Sequence, residues 1–141
     1  MSRVACFIPI KHNSKRVVGK NLRTLGDKPL YRHTLDIVKN MDCFDNVYVD
    51  TDSDEIITYC KNNNIKTIER LPELLEDSAT GNDLFNHWIN TKPNYDIYYQ
   101  IHVTCPFMTK ESIQGCVDAL VEGNEYDSVF SAIEEKSWYW F

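Results

Sequence analysis

Val4-Ala5-Cys6-Phe7-Ile8-Pro9-Ile10, followed by Lys11-His12-Asn13-Ser14-Lys15-Arg16-Val17-Val18-Gly19-Lys20-Asn21, is the stretch that decides the fold. The first part is a short, continuous apolar run and reads as a buried strand. The second part is a cationic loop. Six of the fifteen Lys and Arg residues fall within the first 26 positions, where there is no Asp or Glu. The remainder of the chain therefore holds nine basic against all twenty-one acidic residues. A cationic loop at the carboxyl end of the first strand of an α/β sheet is where such folds hold anionic ligands. A solvated basic segment is the plain alternative. The position after a strand, together with Asn13-Ser14 and Gly19, favours an anion site.

Outward from this loop, apolar strand-like runs alternate with helical periodicity. Leu30, Thr34, Ile37/Val38 and Met41 form one helix face, and Val47-Tyr48-Val49 reads as a second strand. Asp52 or Ser53 would cap the next helix, with Glu55 reaching back in the Asp52 reading. Ile65–Ile68 is a third strand, and a polar stretch runs from Glu69 to Thr80. A helix with Leu84, Phe85, Trp88 and Ile89 inward leads to a fourth strand, Ile97–Val103. Thr109 caps a helix carrying Ile113, Val117, Leu120 and Val121, and Ser128–Ile133 reads as a fifth strand. Strands alternating with single helices predict βαβ units around a parallel sheet, in one domain spanning residues 1–141.

At 141 residues and net charge −6 the chain lacks the extended basic face that nucleic acid or anionic membrane requires. No apolar run reaches the length of a membrane span, and no signal-peptide core opens the sequence. The five scattered cysteines contain no C-x-x-C pair, which predicts a reduced, cytoplasmic protein without disulfides or structural zinc. Trp138-Tyr139-Trp140-Phe141 would form an exposed apolar patch. The expectation is that they pack on a partner subunit or that the natural chain continues.

No G-x-x-x-x-G-K-[ST] and no G-x-G-x-x-G occurs, so the loop is neither a P-loop nor a dinucleotide fingerprint. Ammonium groups spaced four and five apart can instead wrap polyphosphate oxygens. Each contributes up to ~4 kcal/mol at an effective dielectric of about 20, before desolvation.

Pro9-Ile10-Lys11-x-x-Ser14-Lys15-x-x-x-x-Lys20-Asn21, then Gly26-Asp27-Lys28-Pro29-Leu30, resembles the opening of the acylneuraminate cytidylyltransferases and the wider group of CMP-sugar-acid synthetases. Further blocks agree in order. Val49-Asp50-Thr51-Asp52-Ser53-Asp54-Glu55-Ile56 resembles the family's V-S-T-D-D-x-x-I. The segment Arg70 to Thr80 resembles R-P-x-x-L-A-x-D-x-A. His102-Val103-Thr104-Cys105-Pro106-Phe107-Met108-Thr109 resembles Q-P-T-S-P-L-R-T, and Tyr126 to Ser131 resembles the D-S-V-x-S strand.

The resemblance implies a three-layer α/β/α fold with a mostly parallel, Rossmann-like nucleotidyltransferase sheet. It also implies transfer of CMP from CTP to a sialic-acid-like 2-keto sugar acid, releasing pyrophosphate. Carried over, Lys15 and Lys20 would grip the triphosphate with Ser14 beside them, and Asn21 would lie near the base or ribose. Lys11 replaces a family arginine, so a bidentate phosphate contact becomes a point charge; Lys11 and Lys15 would stabilise phosphate charge during catalysis. Arg70 would sit against the cytosine, its plain alternative being a solvated surface arginine. On the sugar side His102 replaces the family's glutamine and Met108 its arginine. Gln100, two residues earlier on the same face of a regular strand, would substitute, or His102 itself would donate to the sugar; Thr104 completes that side. A homodimer is implied, as is Mg²⁺. The family's metal-binding aspartate pair lies beyond the region present, and no metal ligand is assigned here; Asp50 and Asp52 share an i, i+2 spacing but are not taken as that pair. The rival readings are a non-catalytic nucleotide-binding relative or partner subunit, and a nucleotidyltransferase for another sugar or base.

Overall fold

In a computed structural model, residues 1–122 and 125–138 are described. Four strands form a parallel sheet: β1 (Val4–Ile10), β4 (Asn46–Thr51), β5 (Lys66–Glu69) and β6 (Ile97–Gln100), in the order β5-β4-β1-β6. A small antiparallel ribbon, β2 (Thr24–Leu25) with β3 (Lys28–Pro29), turns at Gly26, whose φ of +68° is a left-handed conformation that glycine takes without strain. Among the described residues there are four α-helices, α1 (Leu30–Val38), α2 (Asp54–Asn62), α3 (Gly81–Thr91) and α4 (Lys110–Val121).

The central strand supplies both cores because its side chains alternate. Cys6, Ile8 and Ile10 face α1, α2 and α4, packing with Leu35, Val38, Ile56, Cys60, Ile113 and Val117. Ala5 and Phe7 face the other way, toward Trp88 of α3. Helices therefore lie on both faces, and the expected three-layer α/β/α arrangement is the observed one. Phe7 stacks against Tyr48, Trp88 and Tyr98 at centroid distances of 5.2, 5.1 and 5.9 Å. Truncating so enclosed a ring to alanine costs about 3–5 kcal/mol.

A proline in a central strand lacks a ladder donor. Phe7 points its carbonyl at β6, accepting from Ile101 N–H at 3.1 Å, so Pro9, two residues on, is oriented to the same side. There the β1–β6 pairing has already ended at Phe7↔Gln100. The missing N–H falls where no strand needs it.

Several boundaries differ from the sequence expectations. The buried face of α1 is Tyr31, Thr34, Leu35 and Val38, and the helix stops before Met41. Ser53, not Asp52, is the N-cap residue of α2, without a side-chain cap, because Asp52 Oδ1 accepts from the His12 backbone N–H at 2.6 Å. Ile89 and Val121 are turned outward. The fourth strand ends at Gln100 rather than Val103: the chain enters two successive turns, Cys105 N–H to His102 O at 3.1 Å and Met108 N–H to Cys105 O at 3.3 Å. Ser128–Ile133 forms no strand. Its alternation supplies a side-chain pattern but no ladder partner, and Phe130 and Ile133 are 85% and 93% exposed. Trp138 is likewise exposed, and the other three residues of the aromatic terminus lie outside the described residues. Thr109 does cap α4, its hydroxyl accepting from Ser112 N–H at 3.2 Å. Among the described residues no helix is long and apolar enough to cross a membrane.

Candidate functional site: a cationic cleft at the carboxyl ends of the strands

Strand order reverses at β1, since β4 and β5 extend to one side and β6 returns to the other. Ligands of open α/β sheets bind in the crevice such a reversal leaves outside the carboxyl ends of the strands. A cleft of about 640 Å³ lies there, within the usual range of small-ligand sites, roughly 300–1,000 Å³.

Its middle is the loop after β1. Lys11, Ser14, Lys15 and Lys20 all line the cleft, and Arg16, one of the loop's cations but assigned no site role from the sequence, lines it too. The loop closes on itself through Lys20 N–H to Val17 O at 3.2 Å and Leu22 N–H to Gly19 O at 3.0 Å. Gly19 makes this possible with φ of +62°. Asn21 is buried and donates its Nδ2 to Lys11 O at 2.9 Å. Its Oδ1 is thereby left buried without a partner.

The wall opposite the loop is the segment 71–81. The Lys11 ammonium donates to Leu75 O, and Lys15 pairs with the Asp77 carboxylate, which also lies 4.0 Å from Lys11. The hydrogen bond from Lys15 holds the Asp77 carboxyl below its ordinary value. Asp77 lay in a block quoted for its likeness to the family, yet only Arg70 was selected from it. Nothing local marks Asp77 as the partner of a lysine 62 positions away. Thr80 and Gly81 bring the start of α3 to the cleft, fixed by a capping box in which Thr80 and Asp83 exchange hydrogen bonds. The T-x-x-D spacing of Thr80 and Asp83 is the local sequence signal of this cap.

The end of the cleft toward β5 is Arg70, which is not the solvated surface arginine of the plain reading. It is 7% exposed, and its Nε lies 2.6 Å from Oδ1 of the fully buried Asp50. Trp88 Nε1 donates to the other oxygen at 2.6 Å. The end toward β6 carries Gln100, His102 and Thr104, which reach the cleft together although the strand stops at Gln100. Burial, with the Lys20 charge adding to it, lowers the pKa of His102 from 6.5 and favours the neutral ring. All nine residues selected from the sequence thus border one cavity.

Magnesium has no evident seat in this set. Asp50 is spent on Arg70 and Trp88, Asp52 on His12, and the described residues contain no group of three or more His, Cys, Asp or Glu able to hold a metal.

A parallel sheet with helices on both faces and a cationic cleft at its strand ends is the nucleotidyltransferase fold. The cytidylyltransferase family model matches residues 5–137, and the chain belongs to that family. It is 28% identical over 134 residues to an N-acylneuraminate cytidylyltransferase of Streptococcus agalactiae serotype III (strain NEM316), a match covering 92% of this chain and 32% of that protein. It is 30% identical over 146 residues to the CMP-N,N'-diacetyllegionaminic acid synthase of Legionella pneumophila, covering 96% of this chain and 61% of that one. Among solved structures, CMP:2-keto-3-deoxy-manno-octonic acid synthetase complexed with CTP superposes with a TM-score of 0.72 at 20% identity, covering 88% of this chain and 49% of that chain. A cytidylyltransferase from Leptospira borgpetersenii gives 0.67 at 20% identity, covering 89% and 51%. These structures show the fold alone. The chain spans about a third of the length of the Streptococcus relative.

Proposed function

We propose that this chain is the nucleotide-holding part of a CTP-dependent cytidylyltransferase that activates a sialic-acid-like 2-keto sugar acid. One observation carries the reading: Lys11, Lys15, Arg16 and Lys20 converge on a cleft that Asn21 also lines. The cations suit a triphosphate.

In this reaction the sugar's anomeric oxygen bonds to the α-phosphorus as the α–β phosphoanhydride breaks, releasing pyrophosphate. Lys15 and Lys20 bind the triphosphate and compensate the charge that develops on the leaving group, while Lys11, half-buried, contributes a fixed positive charge. Lys15 must leave Asp77 to do so. Ser14 lies among these cations and offers its hydroxyl to a phosphate oxygen. Gln100, neutral His102 and Thr104 offer hydrogen bonds to sugar oxygens at the β6 end. Mg²⁺, which the family resemblance implies, finds no fitting ligand set among the described residues.

A homodimer belongs to the same proposal. Supporting it are the exposed Phe107, Phe130, Ile133 and Trp138, of which Phe130 lines a cavity of about 750 Å³ bordered by residues of β6, α4 and 126–131. A reducing, cytoplasmic setting is supported by five free thiols. The test is calorimetric titration with CTP, ATP, GTP and UTP. Selective CTP binding that weakens in Lys15→Ala supports the reading, and equal or absent binding of all four overturns it.

A further inference from the structure

Arg70 differs in character from every other cation of the cleft. Lys15 has 82% of its side chain exposed and pairs with Asp77, which is itself 61% exposed. Arg70 is enclosed, with 4% of its side chain exposed, and it faces a carboxylate that is not exposed at all. Its Nε donates to Asp50 Oδ1 at 2.6 Å and its Nη2 to the Asp50 backbone carbonyl at 3.1 Å. Two points of attachment on one residue fix the plane of the guanidinium. Asp50 is itself fixed, since Trp88 Nε1 holds its second oxygen at 2.6 Å and its backbone lies in β4 beside Pro9 of β1. Trp88 is locked in turn by stacking on Phe7, with ring planes 12° apart.

Two consequences follow from elementary electrostatics. The Asp50 charge compensates the Arg70 charge at contact distance, so little net attraction remains for a phosphate. The guanidinium has five N–H groups, of which this arrangement uses two, leaving Nη1 and one Nη2 hydrogen. Those remaining donors have a set direction and carry little net charge, which suits neutral acceptor atoms. Cytosine presents two adjacent acceptors, O2 and N3; uracil replaces the second with an N3–H donor that would oppose the guanidinium.

We propose that Asp50, held by Trp88, is a positioning residue that makes Arg70 a charge-compensated, direction-fixed donor, assigning it to the acceptor edge of a pyrimidine base and leaving the phosphates to the loop lysines. This rests on the nucleotide-binding reading above. The V-S-T-D block that Val49–Asp52 resembles has serine at the position of Asp50.

The test is calorimetric titration of the 141-residue chain, Asp50→Ser and Trp88→Phe with CTP, UTP and inorganic tripolyphosphate, each variant first checked for a cooperative thermal melt. Trp88→Phe keeps an aromatic ring beside Phe7 and removes the N–H donor along with part of the indole's buried volume, so with its melt checked it remains informative where Asp50→Ser fails to fold. The expected result is a CTP-over-UTP preference reduced about tenfold in Asp50→Ser and about threefold in Trp88→Phe, with tripolyphosphate affinity unchanged or raised. An unchanged preference in the folded variants overturns the proposal. So does a parallel loss for all three ligands, which is what a merely structural role would give. If the unaltered chain binds tripolyphosphate without base preference, the positioning role fails while the anion site stands; if it binds none of the three, the nucleotide reading fails and takes this proposal with it.

Discussion

Asn21 Nδ2 donates to the backbone carbonyl of Lys11 at 2.9 Å, tying the first residue of the cationic loop to the turn that closes it. The side chain is buried, so this bond is not shared with water. It holds the lysines of the loop over one cavity. Asn21→Ala is expected to cost about 1–2 kcal/mol of stability, the usual loss for a buried hydrogen bond. It should also weaken tripolyphosphate binding, although Asn21 carries no charge. Thermal melts and calorimetry on the same variant measure both. Intact tripolyphosphate affinity would show that the loop holds its shape without this tie.

Asp77 pairs with the ammonium of Lys15 across the cleft. On the proposed reading a triphosphate displaces it. Asp77→Asn is therefore expected to raise tripolyphosphate affinity a few-fold, and Lys15→Ala to lower it about tenfold. In the double variant the Asp77→Asn gain should largely disappear, because its cause is the pairing with Lys15. Additive effects in this cycle would remove the competition argument.

Asp36 on α1 accepts from Lys28 at 2.7 Å, lies 2.9 Å from Lys39, and also accepts from Tyr59 of α2. Burial alone would raise its carboxyl, but the bonds from Lys28, Tyr59 and Lys39 together outweigh burial and hold it well below the ordinary 3.8. The unfolded chain thus binds more protons than the folded one below about pH 4, so this contribution is complete above that pH and lost as pH falls further. Asp36→Asn should cost about 1–3 kcal/mol at pH 7. The difference from the unaltered chain should shrink under acid, as read from urea unfolding at pH 7 and near pH 3.

His102 shifts in the opposite sense for its type. Its folded pKa lies below 6.5, so just below that value the unfolded chain again binds more protons, and stability rises with pH through the window between the folded pKa and 6.5. Acidification through this window charges a ring that burial and Lys20 both disfavour. His102→Gln is expected to flatten this part of the stability profile while leaving that at pH 7.5 little changed. Melting temperatures from pH 5 to 7.5 test it, and identical slopes would show that His102 does not titrate abnormally.

The thiols should react in order of exposure. Burial pushes Cys60 up to about 12 and raises Cys6 well above its ordinary value, while Cys105 is exposed. A disulfide-exchange reagent at neutral pH is expected to modify Cys105 first and Cys6 and Cys60 only on unfolding, since the thiolate is the reacting form. Peptide mapping of the labelled protein gives the order.

Much of the site was legible because the information is local. A lysine spacing, a Gly at a turn and an apolar run before them are all read within about twenty residues, and the wall residues Gln100, His102 and Thr104 keep their i, i+2 alternation after the ladder ends. The misplaced strand at Ser128–Ile133 shows the limit of the same logic. Alternation specifies which side chains share a face, but a strand also requires a neighbour whose backbone groups are free, and that is not written in the segment itself.

The sequence by itself determined the class of the fold, through strands alternating with helices, and the place of the cationic cleft, through charge gathered after the first strand. Tertiary structure alone decided what Asp50 and Arg70 are. The sequence assigns Asp50 no role beyond an i, i+2 spacing with Asp52 and leaves Arg70 as a ligand contact or a surface charge; they prove to be partners across 20 residues, with Trp88, 38 residues from Asp50, completing the set. The reason is physical. A buried charge is tolerable only where register and packing deliver a counter-charge at contact distance, and the β4–β5 register together with the seat of α3 on Phe7 sets that distance.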